Sequence, residues 1–177
     1  MNAPPMPGKA FGFTLIELIV TITILAILMM IAAPSFSRFI KNIEVRNDAE
    51  SVVSGIQRAR AEAVGRNATV FFILNADSSW TISKAAIGDA PAIMIETRQA
   101  SEGSRSVERS VIPTGATSIT FNNLGVITGN TDASASLEQI VFSAAGSDRP
   151  LTILIGAGGA ARLCDASQPS GRADACD

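Results

Sequence analysis

The stretch Gly12-Phe13-Thr14-Leu15-Ile16-Glu17-Leu18-Ile19-Val20 opens an apolar run that ends near Ala33. As a helix, the 21 residues from Phe13 to Ala33 rise about 30 Å, the thickness of a bilayer's hydrocarbon core. One charge, Glu17, interrupts the run. A carboxylate inside an apolar helix costs about 3 kcal/mol or more unless it is paired, so Glu17 calls for a functional explanation. Cleavage of the Gly12-Phe13 bond would create an α-amine on Phe13, little more than one helical turn from Glu17. An ordinary secretory signal fits poorly, because its apolar core is about 7 to 15 residues long and is followed by small residues. Here the only small-residue pair, Ala32-Ala33, precedes Pro34, which hinders cleavage. A plain anchor leaves the acidic residue after Gly-Phe unexplained.

The register Lys9-Ala10-Phe11-Gly12-Phe13-Thr14-Leu15-Ile16-Glu17-Leu18 resembles the class III signal of type IV prepilins and type II secretion pseudopilins. In that superfamily a prepilin peptidase cuts after the glycine and methylates the new N-terminal residue. The resemblance implies cleavage between Gly12 and Phe13, N-methylation of Phe13, and an assembly role for Glu17, whose carboxylate neutralises a neighbouring subunit's N-terminal amine. It also implies a leader over residues 1–12, whose single Lys9 agrees with retention in the cytoplasm. The expected localisation is the inner membrane, crossed once, with the head in the periplasm until the subunit enters a pilus or pseudopilus fibre. The implied partners are the peptidase, other major and minor pilins, the inner-membrane assembly platform and the membrane itself.

Beyond Pro34 a helical period resumes at Phe36, Phe39, Ile40, Ile43, Ala49, Val52, Val53, Ile56, Ala59, Ala63 and Val64, read as one stripe. Arg38, Lys41, Glu44, Arg46, Asp48, Glu50, Arg58 and Arg60 fall largely off it. Gly65-Arg66-Asn67 supplies a stop. The expectation is one helix over residues 14–65, a membrane half at 13–33 and an amphipathic half at 34–66, with Pro34 kinking or loosening it. From residue 67 the pattern changes to short β-like runs: 69–74, 80–83, 92–97, 106–112, 118–121, 126–128, 139–142 and 151–155. About seven strands after one helix predict an α+β chain of the type IV pilin kind, with an antiparallel sheet head at 67–177 packed on the helix. The loops at 85–91 and 129–137 are polar or small and are expected to be mobile.

Within the superfamily, Trp80-Thr81-Ile82, Ile119-Thr120-Phe121-Asn122-Asn123-Leu124-Gly125 and Gly158-Gly159-Ala160-Ala161-Arg162-Leu163-Cys164 resemble the GspH/FimT group. Its members are minor pilins and pseudopilins thought to sit near the fibre tip. The glycine pair leading into Arg-Leu-Cys-Asp is more similar to the FimT and FimU kind than to the secretion pseudopilin. The resemblance implies a disulfide between Cys164 and Cys176, tying down a small polar tail; a metal pair would lack further Cys or His ligands.

The remaining signals are mostly exclusions. The 177 residues carry a net charge of -2 and contain neither His nor Tyr, which removes the commonest general base. Gly156-Ala157-Gly158-Gly159 is followed by no Lys-Ser/Thr and reads as a turn between strands, not a phosphate loop. No catalytic arrangement and no cofactor is called for. DNA binding, known for some FimT-type members, would draw on Arg149, Arg162 and Arg172. The Gly-Arg-x-Arg arrangement of those members is half present, with Ala160 in the first arginine position. The head from residue 67 onward holds seven Lys or Arg against eleven Asp or Glu, a balance that repels a polyanion. Minor pilin, secretion pseudopilin and DNA-uptake pilin are the three readings, in that order.

Overall fold

The computed structural model describes residues 12–77, 79–86 and 92–176. Among the described residues one helix, α1 (Leu15–Gly65), is followed by nine strands: β1 (Val70–Leu74), β2 (Trp80–Lys84), β3 (Ile93–Arg98), β4 (Val107–Ile112), β5 (Ser118–Phe121), β6 (Ile127–Thr128), β7 (Gln139–Ala144), β8 (Leu151–Ile155) and β9 (Ala161–Cys164). A short 3-10 turn, Ala100–Glu102, lies between β3 and β4. By its internal contacts the chain forms two compact units, one ending at Ser37 and one from Arg38 onward.

The first unit is helical from Leu15, and all of its described side chains are exposed. Its composition and length suffice to cross a membrane, with a mean hydropathy of 2.7 over the most apolar window. The helix includes Pro34, which removes one backbone N–H from the ladder.

In the second unit Val45, Ala49, Val52, Ile56, Ala59 and Ala63 are fully buried, at alternating spacings of four and three that keep them on one face. This corrects the single stripe expected from the sequence. Ile43 lies nine residues before Val52, about half a turn around the helix, and like Phe39, Ile40 and Val64 it reaches the surface. The apolar residues around position 40 and those beyond Val45 therefore occupy different faces. Small residues let the sheet approach closely: a Cβ at Gly55 would lie 2.8 Å from Phe72 Cε2 and 3.0 Å from Trp80 Cε2. Trp80 also donates from Nε1 to Ser51 Oγ at 3.2 Å.

The helix ends as expected near Gly65, but the left-handed residue is Asn67 (φ 48°). The Asn67 N–H reaches the Val64 carbonyl at 3.2 Å and the Ala68 N–H the Ala63 carbonyl at 3.1 Å, satisfying two carbonyls of the last turn.

The strands form two antiparallel sheets rather than one, ordered β3-β2-β1-β5-β6 and β4-β7-β8-β9. β1 pairs with β2 and β7 with β8, both antiparallel. The division into two sheets was not expected, because strands this short are not ordered by their periodicity. Inward residues of both sheets, including Phe72, Ile82, Ile119, Phe121, Ile140, Phe142 and Ile153, join the helix face in one core. Gly156–Gly159 is a turn between β8 and β9, as read from the sequence. Gly159 has φ +82°, and a Cβ there would collide with the Gly125 carbonyl oxygen, which also accepts from Arg60 Nε at 3.0 Å. The two glycine turns thus interlock against the helix.

Of the two loops expected to be mobile, 85–91 lies mostly outside the described residues. The other is pinned: Asn130 is buried, accepts from Thr120 Oγ1 at 2.7 Å, and donates to Ser134 and Ala135. Leu137 closes the loop inside the core.

Asp48, expected on the polar side of α1, is 1 % exposed. Arg98 at the end of β3 donates from Nη1 to its Oδ1 at 2.9 Å, and Arg109 of β4 brings Nε within 3.8 Å of its Oδ2. One carboxylate on the helix thereby ties together strands from both sheets. Burial lowers the pKa of Arg109, opposed by the charges of Asp48 and Asp77. Removing one member of a buried ionic group strands the others without compensation. Asp48→Ala is expected to lower the unfolding free energy of the head by about 3–5 kcal/mol. Glu50→Ala, which breaks an exposed pair with Arg46, is expected to change it by under about 1 kcal/mol. Denaturant titration of the full chain in detergent reads both.

Candidate functional site

Two regions carry the residues singled out from the sequence, one at the start of α1 and one at the C-terminal tail. At the first, Thr14 precedes the helix and its Oγ1 accepts from the Glu17 backbone N–H at 3.3 Å, while its carbonyl accepts from the Leu18 N–H at 3.1 Å. Thr14-Leu15-Ile16-Glu17 has the Ser/Thr-x-x-Glu spacing of a capping box, which satisfies N–H groups that a helix start leaves unpaired. Glu17 is the acidic residue of the first turn, where the helix dipole favours negative charge. Phe13 is 83 % exposed, and Glu17 is also exposed. The helix start thus presents an aromatic residue and a carboxylate together, with no described residue covering either. Thr14 is a member of this site that the sequence reading passed over; the four-residue capping spacing was the signal for it.

At the tail, Cys164 at the end of β9 is disulfide-bonded to Cys176, as the resemblance implied. The intervening loop folds back on β9: the Asp165 N–H donates to the Asp174 carbonyl at 2.7 Å, and Asp165 bridges to Ala175. Burial works against ionisation of Asp165. Hydrogen bonds from Ser167 Oγ at 2.5 Å, Ser167 N–H at 2.9 Å and Gln168 Nε2 at 3.3 Å outweigh it and hold the carboxyl below its ordinary pKa.

The three arginines considered for a polyanion do not form a uniformly basic face. Arg149 lines a cleft of about 500 Å³ with Arg46, but Asp148, Asp165 and Asp174 line it too. Arg172 pairs with Asp174 at 3.4 Å. Arg162 is exposed on β9, opposite Leu154 of β8. The cleft therefore carries mixed charge over an apolar floor of Phe39, Ile43, Leu151 and Leu163.

Residues 48–172, from the buried Asp48 through the strands to the tail loop, match the family described as Type II transport protein GspH. The chain belongs to the GspH family. Residues 8–33 match a second family, described as the prokaryotic N-terminal methylation motif, over the segment that holds Gly12, Phe13 and Glu17. Membership makes this GspH-family chain a structural subunit rather than an enzyme, and the methylation motif over an apolar segment fits a membrane-anchored chain with a soluble head. The chain is similar in fold to crystal structures of the Pseudomonas aeruginosa (strain PAO1) type IV minor pilin FimU in two crystal forms. In space group P65 the identity is 17%, covering 72% of this chain and 94% of that one with a TM-score of 0.47. In space group P21 the identity is again 17%, covering 76% and 95% with a TM-score of 0.49. Comparison with curated proteins found no match.

The disulfide spans a sequence separation of 12, and loop-closure entropy assigns a cross-link of that length about 3 kcal/mol. Cys176→Ser is expected to leave both sheets paired while residues 165–176 become the first site of protease nicking. Limited proteolysis with mass mapping checks this, and cleavage first within the strands would contradict it.

Proposed function

We propose that the chain is a minor type IV pilin, made as a prepilin, cut and N-methylated by a prepilin peptidase between Gly12 and Phe13, and used to initiate or cap a fibre. The observation that carries this reading is the start of α1. An exposed carboxylate in the first helical turn lies four residues after the residue whose amine the cleavage would free, at the head of an apolar segment that no described residue covers. After cleavage the segment stays in the inner membrane with the head in the periplasm, until the assembly platform moves the subunit into the fibre. There Glu17 accepts the Phe13 amine of a neighbouring pilin. A mis-stepped subunit leaves that carboxylate unpaired among apolar helices, so the pair sets the axial step.

A second reading, a minor pseudopilin of a type II secretion system, uses the same chemistry in a shorter periplasmic fibre. The family description favours it, while the Cys164–Cys176 loop favours the pilus branch. A DNA-uptake role has less support, because acidic side chains accompany Arg149 and Arg172.

Glu17→Ala is expected to reduce incorporation into fibres by ten-fold or more, as loss of about 1.4 kcal/mol or more of pairing requires, with membrane insertion unchanged. Immunoblotting of sheared fibres against membrane fractions measures both, and undiminished incorporation would overturn the register role. In gel-shift assays no retardation of duplex DNA is expected at near-physiological salt. Retardation that disappears in Arg162→Ala would instead favour the uptake reading.

A further inference from the structure

The cleft between α1, the β7–β8 turn and the tail loop is lined by groups of both signs, and the fold sets each of them. Arg46 comes from α1, Asp148 and Arg149 from the turn, Asp165 and Asp174 from the tail. The turn is fixed to the helix through Asn42. Its Nδ2 donates to Asp148 Oδ1 at 2.7 Å, and its Oδ1 accepts from Ser147 Oγ at 2.7 Å and from the Asp148 N–H at 3.3 Å. Asp174 lies two residues before Cys176 of the disulfide, and its carbonyl accepts from the Asp165 N–H at 2.7 Å. Ser167 and Gln168 engage both carboxylate oxygens of Asp165, and the charge of Arg149 helps keep that group ionised. Two other carboxylates, Asp148 and Asp174, stand exposed beside two exposed guanidinium groups, Arg46 and Arg149. Arg46 pairs with Glu50 at 2.7 Å and Asp174 with Arg172 at 3.4 Å, in solvent-open pairs that exchange at little cost.

A purely anionic ligand would meet the two carboxylates, and a purely cationic one the two guanidinium groups. A zwitterion satisfies both signs. The floor of Phe39, Ile43, Leu151 and Leu163 adds a demand for apolar surface, and about 500 Å³ lies within the range of small-molecule sites. The chain itself brings such a ligand near. Six residues lead from Ala33, where the apolar run ends, to Phe39 on the floor, and even fully extended they reach about 20 Å. The headgroup layer, about 5–8 Å thick, begins where the hydrocarbon ends. The cleft is thus tethered within reach of lipid headgroups for as long as the segment spans a membrane. We propose that it holds the headgroup of an aminophospholipid of the phosphatidylethanolamine class, with the phosphate on Arg149 and Arg46, the ammonium on Asp148 and Asp174, and the first acyl methylenes over the apolar floor. This site rests on the membrane-anchored stage of the function proposed above. A quaternary ammonium headgroup donates no hydrogen bond to the carboxylates and is disfavoured there.

The test uses the full chain in vesicles of phosphatidylcholine holding a minor share of phosphatidylethanolamine. A water-soluble carbodiimide joins an amine to a carboxylate that it touches, so peptide mapping by mass spectrometry locates the lipid adducts. Coupling at Asp148 or Asp174 is expected at about five times the level at Glu50, an exposed carboxylate one turn beyond Arg46 on α1. Arg149→Gln removes a phosphate partner and is expected to lower lipid coupling at those two aspartates about five-fold. Coupling of free ethanolamine to them, and the thermal unfolding of the head, are expected to stay unchanged in that variant. Flotation after an alkaline wash reads anchoring separately. A chain that does not float overturns the anchored reading and this site with it. A chain that floats but couples lipid no more at Asp148 and Asp174 than at Glu50, or undiminished in Arg149→Gln, overturns the site alone and leaves the cleft to a neighbouring subunit.

Discussion

The apolar surface of α1 is the constraint on which everything else depends. Beyond Val45 the helix buries one face against two sheets of its own chain, and residues on that face are fully enclosed. Before Ser37 no described residue is enclosed at all. Water is a poor solvent for such a surface, at about 25 cal/mol per Å² of apolar area. The head is thus complete within itself, whereas the first unit requires lipid or other helices. A membrane-anchored subunit of a helical fibre meets that requirement in both of its states.

Moving such a helix from lipid into a bundle of like helices changes its apolar burial little, because lipid tails are as apolar as leucine side chains. The terms that differ are packing and polar pairing. That gives Glu17 weight beyond its single charge. In the first turn it is favoured by the helix dipole and its backbone N–H is held by Thr14. A carboxylate so placed is tolerated at a membrane surface and still needs a cation once helices surround it.

Much of this was legible in the sequence. Hydropathy and the Gly12, Phe13 and Glu17 register gave the apolar segment, and the change from a period near 3.6 to one near 2 at residue 67 located the head. Most strands fell within a residue or two of their observed limits. What was hidden depended on three-dimensional partners. Asp48 looks like a solvated charge in sequence because Arg98 and Arg109, its partners, lie 50 and 61 residues further on. The apolar residues Phe36 to Ile43 and Val45 to Ala63 merge into one stripe when only spacings of three and four are counted. The angular offset between Ile43 and Val52 separates them. Sheet division depends on strand order, which short alternating segments do not encode locally.

The most direct measurement on the proposed role is the intact mass and N-terminal sequence of the chain recovered from the membranes of cells that make it. A chain beginning at Phe13 and carrying one added methyl group on its α-amine is expected. A chain that keeps residues 1–12, or that begins after Ala33 without the apolar segment, would contradict the role assigned to the start of α1.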